Sequence, residues 1–205
     1  AEAIRDNALA VAGLLSHNTG GPPVYPPQPP GLWRQTGRNE PKYVTSKGPE
    51  RFRRGVYVVW RRAAPYPSFV LFDGPDRASC HPMRSRTNTP MQALTLMNDA
   101  AFLEAAAGLA ARILKERPGA TVEQGVEHAF RLTLARLPRS EESKHLVQTY
   151  QHELKRLQAQ PKQAEELLKS LSAVALPANA TRIEVAAWFH VATILLNLDE
   201  TITKG

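Results

Sequence analysis

The densest group of chemically active side chains lies between residues 73 and 89. It combines acids, one thiol, one imidazole and arginines, namely Asp73, Asp76, Arg77, Cys80, His81, Arg84 and Arg86. An arginine guanidinium is a planar fork of donors that fits carboxylate, phosphate or sulfate, and the free N–H groups of a helix that begins after Thr89 would also attract an anion. The sequence therefore predicts an anion-binding site made of Arg77, Arg84, Arg86, Thr87 and Asn88.

The same cluster permits two other interpretations. In one, Asp73, Asp76 or a distant carboxylate already neutralises the arginines, and the ion pairs hold an irregular segment in place. In the other, Cys80 is a nucleophile activated by His81 or by nearby arginines. Neighbours in sequence rarely face each other in that way, and no third orienting group is identifiable. We therefore predict no catalytic residue, and a buried or half-buried structural thiol at Cys80.

Other residue patterns disfavour metal and cofactor chemistry within the chain. His145 and His152 are two helical turns apart with no carboxylate between them, and His190 lies in an apolar run typical of a core histidine. The lone cysteine excludes an internal disulfide, and no Cys-x-x-Cys-His motif is present for attaching a c-type haem. Motifs for phosphate loops, dinucleotide binding, zinc proteases and serine hydrolases are also absent. We predict neither a metal nor a cofactor here.

Charge is unevenly distributed along the 205-residue chain, whose net charge is +7. Residues 1–90 hold 13 lysines and arginines against 6 acids, whereas residues 91–205 hold 13 of each. A basic half indicates a polyanionic partner, or else arginines that pair with carboxylates of a larger parent protein. Arginine outnumbers lysine by 11 to 2 in the first part, which favours fixed, bidentate hydrogen bonds over a diffuse cationic surface.

The elements of the first part are mostly irregular. Apolar spacing predicts a helix over residues 3–15, ended by the glycines and prolines of residues 20–23. Six prolines within residues 22–30 require an extended segment, which nearby aromatic residues indicate is laid on the protein's own core. Residues 51–62 fit either a strand or a helix, with helix favoured, and residues 68–72 fit a short extended piece.

The second part carries regular helix signals. Threonines at 89, 121 and 181, each with Gln or Glu three residues later, predict capping boxes. Asn98 and Asp99 offer another cap, Ser140 is expected to cap the next helix, and residues 162–172 fit a short polar helix. Residues 182–198 are apolar nearly all round, which is typical of a buried central helix.

These elements predict an all-α fold of six to seven helices. We expect a single domain over residues 1–205, with residues 1–90 basic and Pro-rich and residues 91–205 neutral and helical. An apolar fraction of 42% provides enough core for a folded chain. No run approaches the roughly 18 apolar residues of a membrane-spanning helix, so we expect no membrane span.

Several strings resemble one known family. They lie at residues 4–9, 21–27 and 53–60, from Phe72 to Cys80, from Arg86 to Asp99, and from Leu195 to Thr201. They resemble PSD1, a planctomycete-specific domain of unknown function at the C-terminus of large secreted, cytochrome-c-containing proteins. Within these strings we assign a structural motif of Asp73, Cys80, Thr89, Gln92, Asn98, Asp99, Asn197 and Asp199.

The chain departs from the family pattern near the cysteine. His81 and Met83 stand where threonine and arginine are expected, so an anion site there would lack one charge, and Gly74 replaces the usual alanine. The resemblance implies a secreted or cell-envelope protein in which any c-type haem belongs to upstream segments. The chain begins without methionine or a signal peptide, and we interpret it as a piece of a longer precursor.

Three functions follow as hypotheses. The first is a non-catalytic scaffold that docks on upstream domains of its own parent. The second is a binding module for acidic polysaccharide, with residues 51–86 as its surface; nucleic acid is disfavoured because no nucleic-acid motif is present. The third is part of a carbohydrate-active enzyme completed by other domains, with Asp73, Asp76, His81 and Arg84 as candidates.

Overall fold

The computed structural model describes residues 1–36, 42–77, 80, 83–85 and 87–203, and within them the chain is helical and has no strand. The α-helices are α1 (Glu2–Val11), α2 (Pro67–Leu71), α3 (Pro90–Asn98), α4 (Ala100–Glu116), α5 (Val122–Leu134), α6 (Ser140–Ala159), α7 (Pro161–Ser170), α8 (Arg182–Leu196) and α9 (Asp199–Ile202). Short 3-10 helices span Leu32–Thr36, Gly48–Phe52 and Gly55–Tyr57. The all-α class is confirmed. No helix in the described ranges is long and apolar enough to cross a membrane.

Helix α8 lies at the centre of the main core, as its composition predicts. It contacts α4, α5, α6 and α7, and Ala187, Val191 and Leu195 on it are fully buried. Trp188 packs against Tyr150 of α6 with 4.9 Å between ring centroids. An apolar helix buried on several sides is the arrangement that best removes its surface from water.

Local capping chemistry sets where most helices begin. All three predicted capping boxes form, so Thr89, Thr121 and Thr181 open α3, α5 and α8. The Asp99 carboxylate accepts from the backbone N–H of Ala101 at 2.9 Å and opens α4. These caps satisfy N–H groups that have no partner within the helix.

The prediction that Ser140 caps α6 is wrong by one residue. Arg139 is the N-cap, and its backbone N–H donates to Glu142 Oε2 at 2.6 Å. Hydrogen bonds from Arg136 and then from Arg139 lower the pKa of Glu142 to about 2. A charged carboxylate in the first turn replaces the serine hydroxyl because it also complements the helix dipole.

Two other boundaries differ from the sequence predictions. Helix α1 ends at Val11, because Gly13 turns the chain with φ +70° and Arg112 donates to the carbonyl oxygen of Val11 at 2.8 Å. Helix α8 ends at Leu196, where the Thr201 hydroxyl donates to the carbonyl oxygen of Leu195 at 2.8 Å. In both places, a side chain from elsewhere takes a terminal carbonyl that the helix cannot satisfy.

The irregular first half forms a second, smaller core. Its buried members are Val24, Val58, Tyr66 and Phe69. Val24 pairs with Val58 in an isolated parallel bridge, so residues 51–62 are two 3-10 turns joined by extended backbone and not the favoured α-helix. The predicted extended piece at residues 68–72 is also wrong, because Pro67 starts the helix α2 there. The Pro-rich segment does lie on the protein's own core.

Candidate functional site

The two described arginines of the predicted anion site contact groups of their own chain. Arg84 Nη1 donates to Glu2 Oε2 at 2.7 Å, which ties the loop to the start of α1. The Arg77 guanidinium lies 4.4 Å from the centroid of the Trp60 ring, a cation–π contact. Arg86 lies outside the described residues. The anion site therefore stays a prediction, and Arg84 has the distant carboxylate that the competing interpretation expects.

Thr87 and Asn88 of the predicted anion site form hydrogen bonds with acids of the same chain. The Thr87 backbone N–H donates to Asp73 Oδ2 at 2.8 Å, and its hydroxyl hydrogen-bonds the same carboxylate. The Asn88 side chain donates to Asp199 Oδ1 at 2.6 Å, which links the loop to the first residue of α9. Two residues predicted to bind an anion thus hydrogen-bond two residues of the predicted structural motif.

Gln92 is the centre of this motif. Its side chain is 1% exposed, and its Oε1 accepts from the Thr89 backbone N–H at 3.0 Å. Its Nε2 donates to the Leu71 carbonyl oxygen at 2.9 Å and to Thr87 Oγ1 at 3.0 Å. One buried amide therefore joins the end of α2, the loop and the start of α3, with every polar atom satisfied.

The remaining motif residues have mixed outcomes. Cys80 is exposed, so the prediction of a buried or half-buried thiol is wrong. The Asn98 side chain donates to the carbonyl oxygen of Leu94 at 2.8 Å, so Asp99 alone caps α4. Asn197 is the C-cap of α8, and its buried Oδ1 accepts no hydrogen bond from the described residues. At Gly74 an added Cβ would lie 2.5 Å from the Phe69 carbonyl oxygen, so the alanine expected from the resemblance would require this turn to shift.

Two candidates for an enzyme site, Asp73 and Arg84, bind different residues. Asp73 holds Thr87, and Arg84 holds Glu2. His81, the only imidazole of the set, lies outside the described residues. No group of three or more metal-ligating side chains occurs in the part of the chain that the structure describes.

Arg5, which is buried, and Arg51, which is half-buried, connect the irregular half to α1 and α4. Arg5 donates from Nη1 to the Arg53 carbonyl oxygen at 2.7 Å and from Nη2 to the Arg51 carbonyl oxygen at 2.9 Å. Arg51 forms a bidentate pair with the buried Glu104 of α4, with its Nε 2.9 Å from Oε2. These contacts are the planar, directed hydrogen bonds that favour arginine over lysine.

Arg53 connects the irregular segment to the residues that follow α1. Its guanidinium donates to the carbonyl oxygens of Gly20 and Pro22 and lies 4.0 Å from the centroid of the Tyr57 ring. It also pairs with Glu50 at 3.2 Å. The partners of these arginines are backbone carbonyls and acids of this same chain. Much of the basic excess therefore stabilises an irregular segment.

Asp99 is a half-buried acid that links α2 to α4. The Ser68 hydroxyl donates to Asp99 Oδ2 at 2.6 Å, while Oδ1 caps α4. Burial raises the pKa of Asp99, because desolvation outweighs the hydrogen bonds from Ser68 and Ala101.

Replacing Asp99 with asparagine should therefore change the pH dependence of stability. A carboxyl whose folded-state pKa is raised binds its proton more tightly when folded, so its contribution is largest at low pH and is lost as pH rises above the unfolded-state value. Asp99→Asn keeps a capping oxygen and removes that titration. We expect the stability of the variant, relative to wild type, to improve between pH 3 and pH 7 in urea unfolding. A stability difference between Asp99→Asn and wild type that stays constant with pH would contradict a raised pKa at Asp99. Glu123→Gln is the control for losing an exposed acid.

The outer side of α3 is an apolar surface that the sequence analysis missed. Met91, Leu94 and Met97 are 55%, 49% and 41% exposed, while Gln92 and Leu96 face the core. We call these three exposed residues the α3 face. The helix holds no charged residue, although the solvent side of a helix is normally charged or polar. The signal was present as an uncharged run over residues 87–98, but both sides of that helix are apolar in sequence.

The third methionine of the chain is also on the surface. Met83 is 86% exposed, so all three methionines are accessible to solvent. Methionine is flexible and polarizable, and it is over-used at surfaces that bind other proteins. An apolar helix side of this kind indicates an interaction surface.

Comparison with known proteins gives one match. The family model PSD1, described as "Protein of unknown function (DUF1553)", matches residues 1–150. No curated protein and no solved structure matches the chain. The matched part includes α1 to α5, the arginine contacts, the Gln92 hydrogen bonds and the α3 face. The chain therefore belongs to the PSD1 family.

Proposed function

We propose that this chain is a non-catalytic docking domain that packs through the α3 face against other domains of its own parent protein. The observation that carries the proposal is the exposure of Met91, Leu94 and Met97 on a helix without charge. Family resemblance suggests the parent, a secreted or cell-envelope protein with cytochrome-c segments upstream. In that setting the domain would hold those segments in place.

The α3 face is built on a rigid support. A capping box starts the helix at Thr89, Gln92 fixes its inner side to α2, and Asp99 ends it and starts α4. A helix held at both ends loses little conformational entropy when it docks, so more of the gain from burying apolar surface goes into affinity.

The arginine contacts also support a structural role. Arg5, Arg51 and Arg53 hold the irregular half in place, and Arg84 ties the loop to α1. Each guanidinium committed to its own chain is one fewer for a polyanion. The polysaccharide and carbohydrate-enzyme hypotheses stay predictions with less support than docking.

The docking proposal predicts that Leu94→Glu will weaken association strongly. The partner is the rest of the parent protein, expressed as a separate polypeptide, and binding is measured by calorimetry. A charge buried without a partner at the centre of an apolar interface should weaken binding by about 100-fold. Leu94 is half exposed, so thermal unfolding should change little.

The matched control is Val56→Glu, which places the same charge on an exposed apolar residue outside α3. It should bind as wild type does. Absence of wild-type binding, or equal weakening by both variants, would overturn the proposal. A wild-type dimer that Leu94→Glu converts to monomer would also overturn it, because a second copy would then cover the α3 face.

A further inference from the structure

A second surface feature lies at the junction of α4 and α5. A depression of about 500 Å³ is bounded by the end of α4, by the loop that includes Pro118, Gly119 and Ala120, and by one side of α5. Gln124, Glu127, His128 and Arg131 line it from α5. Their spacing of three, four and seven residues places them on one side of the helix.

A histidine in this depression is held in one orientation. His128 Nε2 lies 2.7 Å from Glu116 Oε2, and Arg112 Nε donates to Glu116 Oε1 at 2.7 Å. Desolvation alone would raise the pKa of Glu116, but hydrogen bonds from Arg112 and His128 outweigh it and lower that pKa. The ionised carboxylate can only accept, so Nε2 carries the proton and Nδ1 is the ring atom left for a ligand.

Two arginines at the same depression lack a partner among the described residues. Arg117 and Arg131 line it, are exposed, and have no hydrogen bond, ion pair or ring contact with any described residue. Glu127 is the acid on the rim that could offset them, since Glu116 is already occupied by Arg112 and His128. Once Arg112 neutralises Glu116, the two arginines exceed Glu127 by one positive charge beside the oriented imidazole.

We propose that this depression binds a small phosphorylated molecule. Arg117 and Arg131 would donate to the phosphate oxygens, and His128 Nδ1, which carries a lone pair, would accept from a P–O–H group. Guanidinium groups match the geometry of phosphate oxygens. A phosphate monoanion also carries the P–O–H donor that an accepting Nδ1 needs, whereas a carboxylate offers acceptors alone. The volume exceeds that of phosphate alone and is within the range for small-ligand sites. The inference does not depend on the docking proposal, since none of these residues belongs to α3.

Inorganic phosphate is the probe for this site. Calorimetric titration of the full chain at low ionic strength should give saturable binding with a Kd of about 1 mM. Arg117→Gln and Arg131→Gln should each weaken it by about 10-fold, because each removes one charge-assisted contact. Arg62→Gln, which removes an exposed charge away from the depression, should have no effect. Thermal unfolding checks that the variants stay folded.

Two further measurements test the phosphate proposal. The His128 imidazole resonances should shift with phosphate over the same concentration range, and acetate should not compete. Non-saturable binding, equal loss in Arg62→Gln, or unmoved His128 resonances would overturn the proposal. Acetate binding as tight as phosphate would overturn the assignment to phosphate.

Discussion

Replacing Arg5 with methionine should lower the free energy of unfolding by about 3 kcal/mol. Arg5 is 2% exposed and donates to the backbone carbonyls of Arg51 and Arg53. Methionine fills a similar volume but offers no donor, so two buried carbonyl oxygens would lose a hydrogen bond. Urea unfolding of the full chain measures the loss.

Two further variants separate the lost hydrogen bonds from the lost charge. Arg5→Lys keeps the charge, but one ammonium on a single stem cannot reproduce the two-pronged contact, so it should fall between wild type and Arg5→Met. Arg34→Met removes an exposed arginine and should stay within about 0.5 kcal/mol of wild type. A loss below about 1 kcal/mol for Arg5→Met would mean that water replaces the arginine at the carbonyls.

The Arg5 result would also explain how an irregular segment holds a fixed shape. Residues 44–62 contain two short 3-10 turns and lack the repeated backbone hydrogen bonds of a long helix or a sheet. Their carbonyls must therefore find donors elsewhere, and buried arginines supply them. In this segment, arginine side chains supply the hydrogen bonds that backbone N–H groups supply in the helical half.

The sequence could not predict the hydrogen-bond partners of the arginines. Arg5 finds its carbonyls 46 and 48 residues away, Arg51 finds Glu104 at a separation of 53, and Arg84 finds Glu2 at 82. Residue type favours fixed, bidentate hydrogen bonds, but only the fold decides which acid or carbonyl is near. The same limit applies to Cys80, whose exposure depends on a loop without regular structure.

Features set by a few neighbouring residues were predicted well. The capping boxes at Thr89, Thr121 and Thr181 need only a side chain and an amide three residues on, and all three form. The sequence analysis missed the α3 face for a different reason. Its inner side is fixed by the buried Gln92, a polar residue that hydropathy patterns assign to solvent, so the pattern could not show which side of the helix is covered.

Replacing that glutamine with methionine should destabilise the protein by about 3 kcal/mol, although the substitution is polar to apolar at a buried position. The Leu71 carbonyl and the Thr87 hydroxyl would each lose their bond to Nε2, and the Thr89 N–H would lose its cap. Gln124 is a matched control, because it forms the same capping box on α5 but is exposed. Gln124→Met should cost about 1 kcal/mol or less, the usual range for a cap.

The difference between the two glutamine variants isolates the buried Nε2 contacts. A double-mutant cycle with Thr87→Val should then give a coupling energy of about 1 kcal/mol between Gln92 and Thr87. Equal losses for Gln92→Met and Gln124→Met, or no coupling, would show that the hydrogen bond between Gln92 and Thr87 contributes little to stability. A large, coupled loss would instead mean that Thr87 and Gln92 together join α2, the loop and α3. These contacts would then hold the α3 face in one fixed orientation.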